Sequence, residues 1–212
     1  MLDAEFDKLV KQFDMKIRGV IHIGAHYGEE IETYLSHGIE EQLLFEPQPE
    51  VYQVLLNNIP EDADKIIPFN CALGSETEYG VEMFVEQANK GQSSSLLKPK
   101  LHLQQYPHIQ FTGKNTVNVF TLDEIMIGLK KEKYNLINID VQGYELKVFE
   151  GAVKTLHGID YIYSEVNRAE VYEGCPMVEE LDEFLGQFGF ERVDTQWIGN
   201  VWGDSLFCKK GV

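Results

Sequence analysis

Apolar runs of strand length alternate with segments whose apolar residues recur at helical spacing along most of the chain, and this rhythm limits the fold more than any other feature. "GVIHIGA" (19–25), "QLLFEP" (42–47), "KIIPFNCALG" (65–74), "YNLINIDVQG" (134–143) and "DYIYSEVN" (160–167) read as strands. Between them, Ile31 and Leu35 share one side of a helix closed by Gly38, and Val51, Leu55 and Ile59 share one side of a helix that starts at Pro49. Leu146, Phe149, Val153 and Leu156 lie on one face of a further helical segment, and Leu181, Leu185 and Phe188 follow Pro176 in the same way, with Gly189 at the end. "FERVDTQW" and "DSLFCKK" suit a closing antiparallel pair, and residues 1–18 suit an amphipathic helix. Strands alternating with helices predict a doubly wound α/β fold: a mostly parallel, seven-stranded, Rossmann-like sheet with helices on both faces. "VEMFVEQ" (81–87) and "TVNVFTL" (116–122) alternate with period two, so residues 75–122 are expected to insert a β-hairpin arm and a lid within one domain spanning residues 1–212.

Charge narrows the range of functions. The formal net charge is −17 over 212 residues, a field that repels a phosphate backbone, so nucleic acid is excluded as the expected partner. Lys90, Lys98, Lys100 and Lys114 nevertheless lie in a stretch, Gln87 to Leu122, that holds no acid. Such an island, with His102, His108 and Tyr106, either contacts an anionic acceptor such as a nucleotide sugar or acidic glycan, or docks a basic loop on an acidic body. The sequence has no apolar stretch of membrane-spanning length, and its acid-bearing start is unlike a signal peptide, so a cytoplasmic, membrane-free protein is expected. Cys71, Cys175 and Cys208 are odd in number and widely spaced, which signals neither a disulfide framework nor a zinc site.

In a doubly wound sheet, ligands bind beyond the carboxyl ends of the strands, which directs attention to "VIHIGAHYGEE" (20–30). Gly24 and Gly28 let the backbone approach a ligand, and Glu46, 22 residues after Gly24, is placed to accept the two hydroxyls of a ribose. A dinucleotide fingerprint would read G-x-G-x-x-G. Here the loop is G-A-H-Y-G followed by Glu29 and Glu30, which suits a cationic cofactor such as S-adenosylmethionine (SAM) better than a pyrophosphate, although two acids at that point also simply complement a helix dipole. No Tyr is followed four residues later by Lys, the pair expected of a short-chain dehydrogenase. "LINIDVQGYELKVFEGA" ends a buried strand in Asp140 and opens a helix with Gly143 and Glu145, setting an acid beside the first-strand loop.

In order and spacing, "IHIGAHYGEE", "FEPQPEVYQVLLNN", "NCALG", "SSSLL", "TLDEI", "IDVQGYELKVFEGA" and "SEVN" resemble the FkbM family of SAM-dependent methyltransferases, from about Val20 to Phe190. The resemblance implies a class I methyltransferase fold and O-methylation of a hydroxyl on a sugar, glycan or polyketide. It implies SAM contacts from Gly24, Ala25, His26, Gly28, Glu46 and Pro47, an adenine border at Asn70, Ala72 and Leu73, a small polar stretch at Ser94 and Ser95, and an acidic signature at Asp140, Gln142, Gly143 and Glu145. Two positions depart from it. His22 stands where many members carry Asp, and Asn138 where many carry Lys, so the handling of the proton is open. Asp140 is the first candidate for the general base, followed by Glu165 and Glu145. His26 is the fourth, with packing beneath the cofactor as its structural alternative. Strand-end acids can also hold Mg²⁺, which nothing in the spacing requires. Trp197 and Trp202 either stack on a sugar ring or fill core. The competing functions are an NAD-dependent oxidoreductase and a catalytically silent SAM-binding domain. No oligomeric state is implied.

Overall fold

The computed structural model describes residues 3–211. Its strands are β1 (Gly19–Ile23), β2 (Glu41–Phe45), β3 (Ile66–Phe69), β4 (Ala72–Leu73), β5 (Glu78–Val85), β6 (Gly113–Phe120), β7 (Leu136–Ile139), β8 (Tyr161–Asn167), β9 (Phe190–Ile198) and β10 (Trp202–Lys209). The helices are α1 (Asp3–Gln12), α2 (Ile31–Ser36), α3 (Pro49–Asn58), α4 (His102–Gln105), α5 (Leu122–Ile125), α6 (Glu145–Glu150) and α7 (Val178–Gly186). Seven strands form one sheet in the order β3-β2-β1-β7-β8-β10-β9. Pairing is parallel from β3 to β8, while β10 runs antiparallel to both β8 and β9.

The central strands are apolar because both faces of the sheet are covered. Every residue of β1, β7 and β8 is buried. On one face α6 and α7 pack Val148, Phe149, Leu181 and Leu185 against Ile21, Ile137 and Ile162. On the other, α1 and α2 bring Phe6, Leu9 and Tyr34 onto Val20, Leu136 and Leu206. From β1 the chain winds outward to β2 and β3, then returns across to β7 on the other side of β1. Crossovers therefore diverge between β1 and β7, which opens a crevice above their carboxyl ends.

Two sequence expectations need correction. Residues 65–74 are two strands: β3 lies at the edge of the large sheet, where Pro68 is tolerated, and β4 joins a second sheet ordered β4-β6-β5. The helix after β7 stops at Glu150 because Gly151 packs against the β4 turn, where a Cβ would lie 2.0 Å from the Gly74 carbonyl oxygen. As a result Val153 is 40% exposed, and Val148 and Ala152 supply the core face expected of it.

The arm forms as expected, with β5 and β6 paired antiparallel. The intervening segment docks on the loop after β8: Lys100 N–H donates to Val171 O at 2.9 Å and Glu173 N–H donates to Lys98 O at 2.8 Å. Lys98 pairs with Glu173, Lys100 with Glu170, and Lys114 with Glu82. Two of the four island lysines, Lys98 and Lys100, thus tie the insertion to the loop after β8, and a third, Lys114, pairs within the arm. Among the described residues no helix is long and apolar enough to cross a membrane, and Cys71, Cys175 and Cys208 are free thiols.

Candidate active site

A cavity of about 660 Å³ opens in the predicted crevice, roofed by the insertion. The volume lies within the usual range for small-molecule sites. One half is built on the ends of β1 and β2. Gly24 has φ +86°, and a Cβ there would lie 2.0 Å from the Asp140 carbonyl oxygen, so only glycine lets the β1 and β7 ends meet. The chain then doubles over β2, with the N–H groups of Gly24 and Ala25 both donating to Phe45 O at 2.9 Å.

Glu46 is the anchor of this half. One carboxylate oxygen accepts the His26 N–H at 3.1 Å and the other accepts the Gln48 N–H at 2.8 Å. The residue is 3% exposed, and burial, against these two donors, pushes its pKa up to about 7. Each oxygen keeps a lone pair for a further hydroxyl. Asn70 stays outside the cavity and fixes the Glu46–Pro47 backbone by donating to both carbonyls, at 2.9 and 3.2 Å. Pro47, Ala72 and Leu73 line the cavity together with Cys71.

His26 is held at both ring nitrogens. Nδ1 lies 2.8 Å from Glu29 Oε1, and Nε2 lies 3.1 Å from Lys90 O. Both partners are acceptors, so both are satisfied only when each ring nitrogen carries a proton. Burial opposes that charge, but the bonds to Glu29 and Lys90 outweigh it and the pKa is raised. A doubly protonated imidazole has no lone pair with which to take a proton. Glu29, although burial acts against its charge, is held below the usual carboxylate range by His26.

The centre of the cavity is built by "IDVQGYE". Asp140 N–H donates to Ile23 O at 3.0 Å. Gln142 (φ +55°) and Gly143 (φ +94°) then turn the chain through left-handed conformations. Buried Glu145 closes that turn, with Oε1 accepting from Val141 N–H and Gly143 N–H, both at 3.1 Å. The Gln142 amide donates to Asp140 Oδ1 at 2.6 Å and to Glu165 Oε2 at 2.9 Å. Its own oxygen accepts from the Tyr172 hydroxyl at 2.8 Å, and Ser95 Oγ donates to its backbone carbonyl at 2.8 Å.

Asp140, Glu145 and Glu165 each offer an oxygen within 4.8 Å of the others. Desolvation raises all three pKa values, Glu145 to about 7, Glu165 well above the carboxylate range and Asp140 upward; repulsion from Asp140 adds to the rise at Glu145 and Glu165, while the Gln142 amide works against it at Asp140. Of the three, Asp140 and Glu165 line the cavity and Glu145 does not.

The other half lies over β8 and β10. Asp204 faces Glu165 across the strand pair, and Trp202 faces Asn167. Trp202 Nε1–H donates to the Tyr106 hydroxyl at 3.1 Å, tying β10 to the insertion. His102 and Ile109 line this half as well. Burial, followed by repulsion from Asp140, pushes Asp204 up to about 7. Trp197 stands apart, with the Arg168 guanidinium 3.5 Å above its ring.

Residues 22–192 match the family described as the methyltransferase FkbM domain. The chain belongs to the FkbM methyltransferase domain family. This FkbM domain is 30% identical over 194 residues to the 2-O-methyltransferase NoeI of Sinorhizobium fredii, a match covering 88% of this chain and 77% of that protein. It is 24% identical over 123 residues to the hexuronic acid methyltransferase AglP of Haloferax volcanii, covering 58% of this chain and 46% of that protein. In fold it is similar to the magnesium protoporphyrin IX methyltransferase of Synechocystis PCC 6803 with bound SAM, at TM-score 0.53 and 9% identity over 98% of this chain and 77% of that one. A Streptococcus agalactiae protein of the NADB-Rossmann superfamily gives TM-score 0.53 at 11% identity, covering 99% of this chain and 69% of that one.

In this FkbM domain, Gly24, His26, Glu46, Pro47, Ala72, Leu73, Ser94, Asp140, Gln142 and Glu165 meet at one cavity. Ala25, Gly28, Asn70, Ser95 and Glu145 frame it without lining it. The residues that depart from the family pattern pair with each other in its floor. Asn138 Nδ2 donates to the Tyr34 hydroxyl at 2.7 Å and lies 3.2 Å from His22 Nε2. Burial lowers the His22 pKa, so this network is neutral. His102 and Tyr106, expected with His108 to contact an acceptor beside the island lysines, line the cavity, whereas Tyr163 and Asp204 escaped the sequence reading. Both lie at strand positions with no local motif, Tyr163 in β8 and Asp204 in β10.

Proposed function

We propose that this domain is a SAM-dependent O-methyltransferase acting on a hydroxyl of a sugar or glycan. The observation that carries the reading is Asp140, open to the cavity between a Glu46 half suited to a nucleoside and a Trp202 half suited to a ring-shaped acceptor. The donor set fits the cofactor. Glu46 keeps lone pairs for two ribose hydroxyls, Gly24 lets the β1 and β7 ends close beneath the ligand, and Cys71, Ala72 and Leu73 form a small wall for a planar base. Glu29, Glu30 and Asp140 give this half a negative lining that favours a ligand bearing a sulfonium and an ammonium. When bound, SAM supplies a methyl group activated on sulfur and leaves as neutral S-adenosylhomocysteine.

The chain's part is alignment and proton removal. Asp140 is the base in this reading: its raised pKa strengthens it, and the Gln142 amide fixes one oxygen of a carboxylate that lines the cavity between the two halves. Glu165, whose pKa burial raises, lines the cavity beside Asp140 and is placed to hydrogen-bond a sugar hydroxyl. Glu145 is committed to the turn, and His26 to Glu29 and Lys90. The hydroxyl proton passes to Asp140 and then to water at the cavity mouth.

Calorimetry with SAM, S-adenosylhomocysteine and NAD tests the cofactor, and binding of NAD alone would return the oxidoreductase reading. Asp140→Asn is expected to lower turnover by roughly 10²- to 10⁴-fold with S-adenosylhomocysteine affinity unchanged. Normal turnover would remove Asp140 as the base. Cofactor binding with no transfer to any acceptor would leave a binding domain.

A further inference from the structure

The acceptor half of the cavity has a charge pattern of its own. Asp140, Glu165 and Asp204 line it, and no Lys or Arg lines the cavity anywhere among the described residues. The cations that the sequence set nearby are committed elsewhere: Lys98, Lys100 and Lys114 to Glu173, Glu170 and Glu82, and Arg168 to the Trp197 ring. Lys90 contributes only its carbonyl, to His26. The polar contacts that remain are short-range and directional. Trp202 is oriented by its bond to Tyr106, and His102 packs 5.1 Å from the Tyr106 ring. His102 is 4% exposed, and its Nδ1 has no partner among the described residues. Burial lowers its pKa, so it meets a ligand as neutral imidazole.

We infer that this half binds an uncharged sugar ring and rejects uronic and other anionic sugars, with Trp202, Tyr106 and His102 against the ring and Glu165 and Asp204 on its hydroxyls. Carboxyl groups suit hydroxyls because they accept when ionised and donate when protonated. A sugar carboxylate here would sit beside the Asp140 carboxylate and two further acids, Glu165 and Asp204, with no Lys or Arg among the described residues lining the cavity to pair with it, and like charge so placed opposes binding. The hexuronic acid in the name of the Haloferax volcanii relative is therefore the wrong class for this chain. The inference rests on the methyltransferase reading and adds the acceptor's charge class to it.

The test is saturation-transfer NMR on the full chain saturated with S-adenosylhomocysteine, using pairs that differ only at C6: methyl β-D-glucopyranoside against methyl β-D-glucuronoside, and methyl α-D-galactopyranoside against methyl α-D-galacturonoside. Methyl α-L-fucopyranoside and methyl α-L-rhamnopyranoside extend the neutral set. At least one neutral glycoside is expected to bind roughly tenfold or more tightly than any uronate. Asp204→Asn is expected to narrow that ratio while leaving S-adenosylhomocysteine affinity unchanged, which shows that the variant is folded. Equal or tighter binding of a uronate overturns the inference and leaves the methyltransferase reading standing. So does cofactor-product binding with no signal from any glycoside, or a ratio indifferent to Asp204→Asn. Failure of S-adenosylhomocysteine itself to bind overturns both.

Discussion

Glu46, Gln142 and Glu145 show how little of a residue's task is visible in its type. All three hold backbone or side-chain donors at or beside the cavity, and each does so differently. Glu46 receives two backbone N–H groups and keeps capacity for a ligand. Glu46→Gln keeps the shape but turns one acceptor into a donor facing an N–H, so S-adenosylhomocysteine affinity should fall by about 10- to 100-fold, a loss of ~1.5–3 kcal/mol. Calorimetry reads this directly, and an unchanged constant would remove Glu46 from the ribose. Gln142 carries a different message. Its amide already bridges Asp140 and Glu165, where a cation would otherwise neutralise them. Turnover is therefore expected to survive exhaustive chelation with EDTA, and a loss restored by Mg²⁺ would assign a divalent ion to the Asp140, Glu145 and Glu165 oxygens.

At the scale of elements, the strands and helices were readable because each buries one apolar set. Their ends were not, because ends are decided by neighbours. The helix after β7 has a sequence that continues in helical period past Gly151, yet it stops there because the β4 turn comes against it. Gly151→Ala puts a methyl group 2.0 Å from the Gly74 carbonyl oxygen, and a cost of ~1–3 kcal/mol is expected in chemical denaturation. An unaltered midpoint would mean that the two turns part without penalty. Similarly, "KIIPFNCALG" reads as one strand, but Pro68 suits only an edge and Asn70 bonds back to the Glu46–Pro47 carbonyls, so Ala72 and Leu73 leave for the second sheet. That departure brings Cys71, Ala72 and Leu73 into the cavity wall.

For the molecule as a whole, the acidic cavity has a thermodynamic consequence. Glu46 and Glu145 titrate near 7 in the fold, against an ordinary value of 4.5. The unfolded chain therefore loses these protons first as pH rises. Stability should be greatest below about pH 4.5 as far as these two groups are concerned, fall as pH climbs toward 7, and level off above it, by ~1–3 kcal/mol for each group. Thermal unfolding between pH 5 and 8 checks the sign: the midpoint should rise on acidification over that window, and Glu46→Gln should flatten the slope.

The sequence by itself determined the doubly wound order, the two loops that carry the ligand site, and the family, because strand period, helix period and the blocks "FEPQPE" and "IDVQGYE" are local patterns. Tertiary structure decided the rest. The protonation of His26 depends on Glu29 and on Lys90, a residue 64 positions away. One wall of the cavity joins His102 and Tyr106 of the insertion to Trp202 and Asp204 of β10. The island lysines read as a ligand patch or a docking surface until Glu82, Glu170 and Glu173 arrive beside them. Charge state and enclosure are set by what packs nearby in space, and no window of sequence contains that neighbourhood.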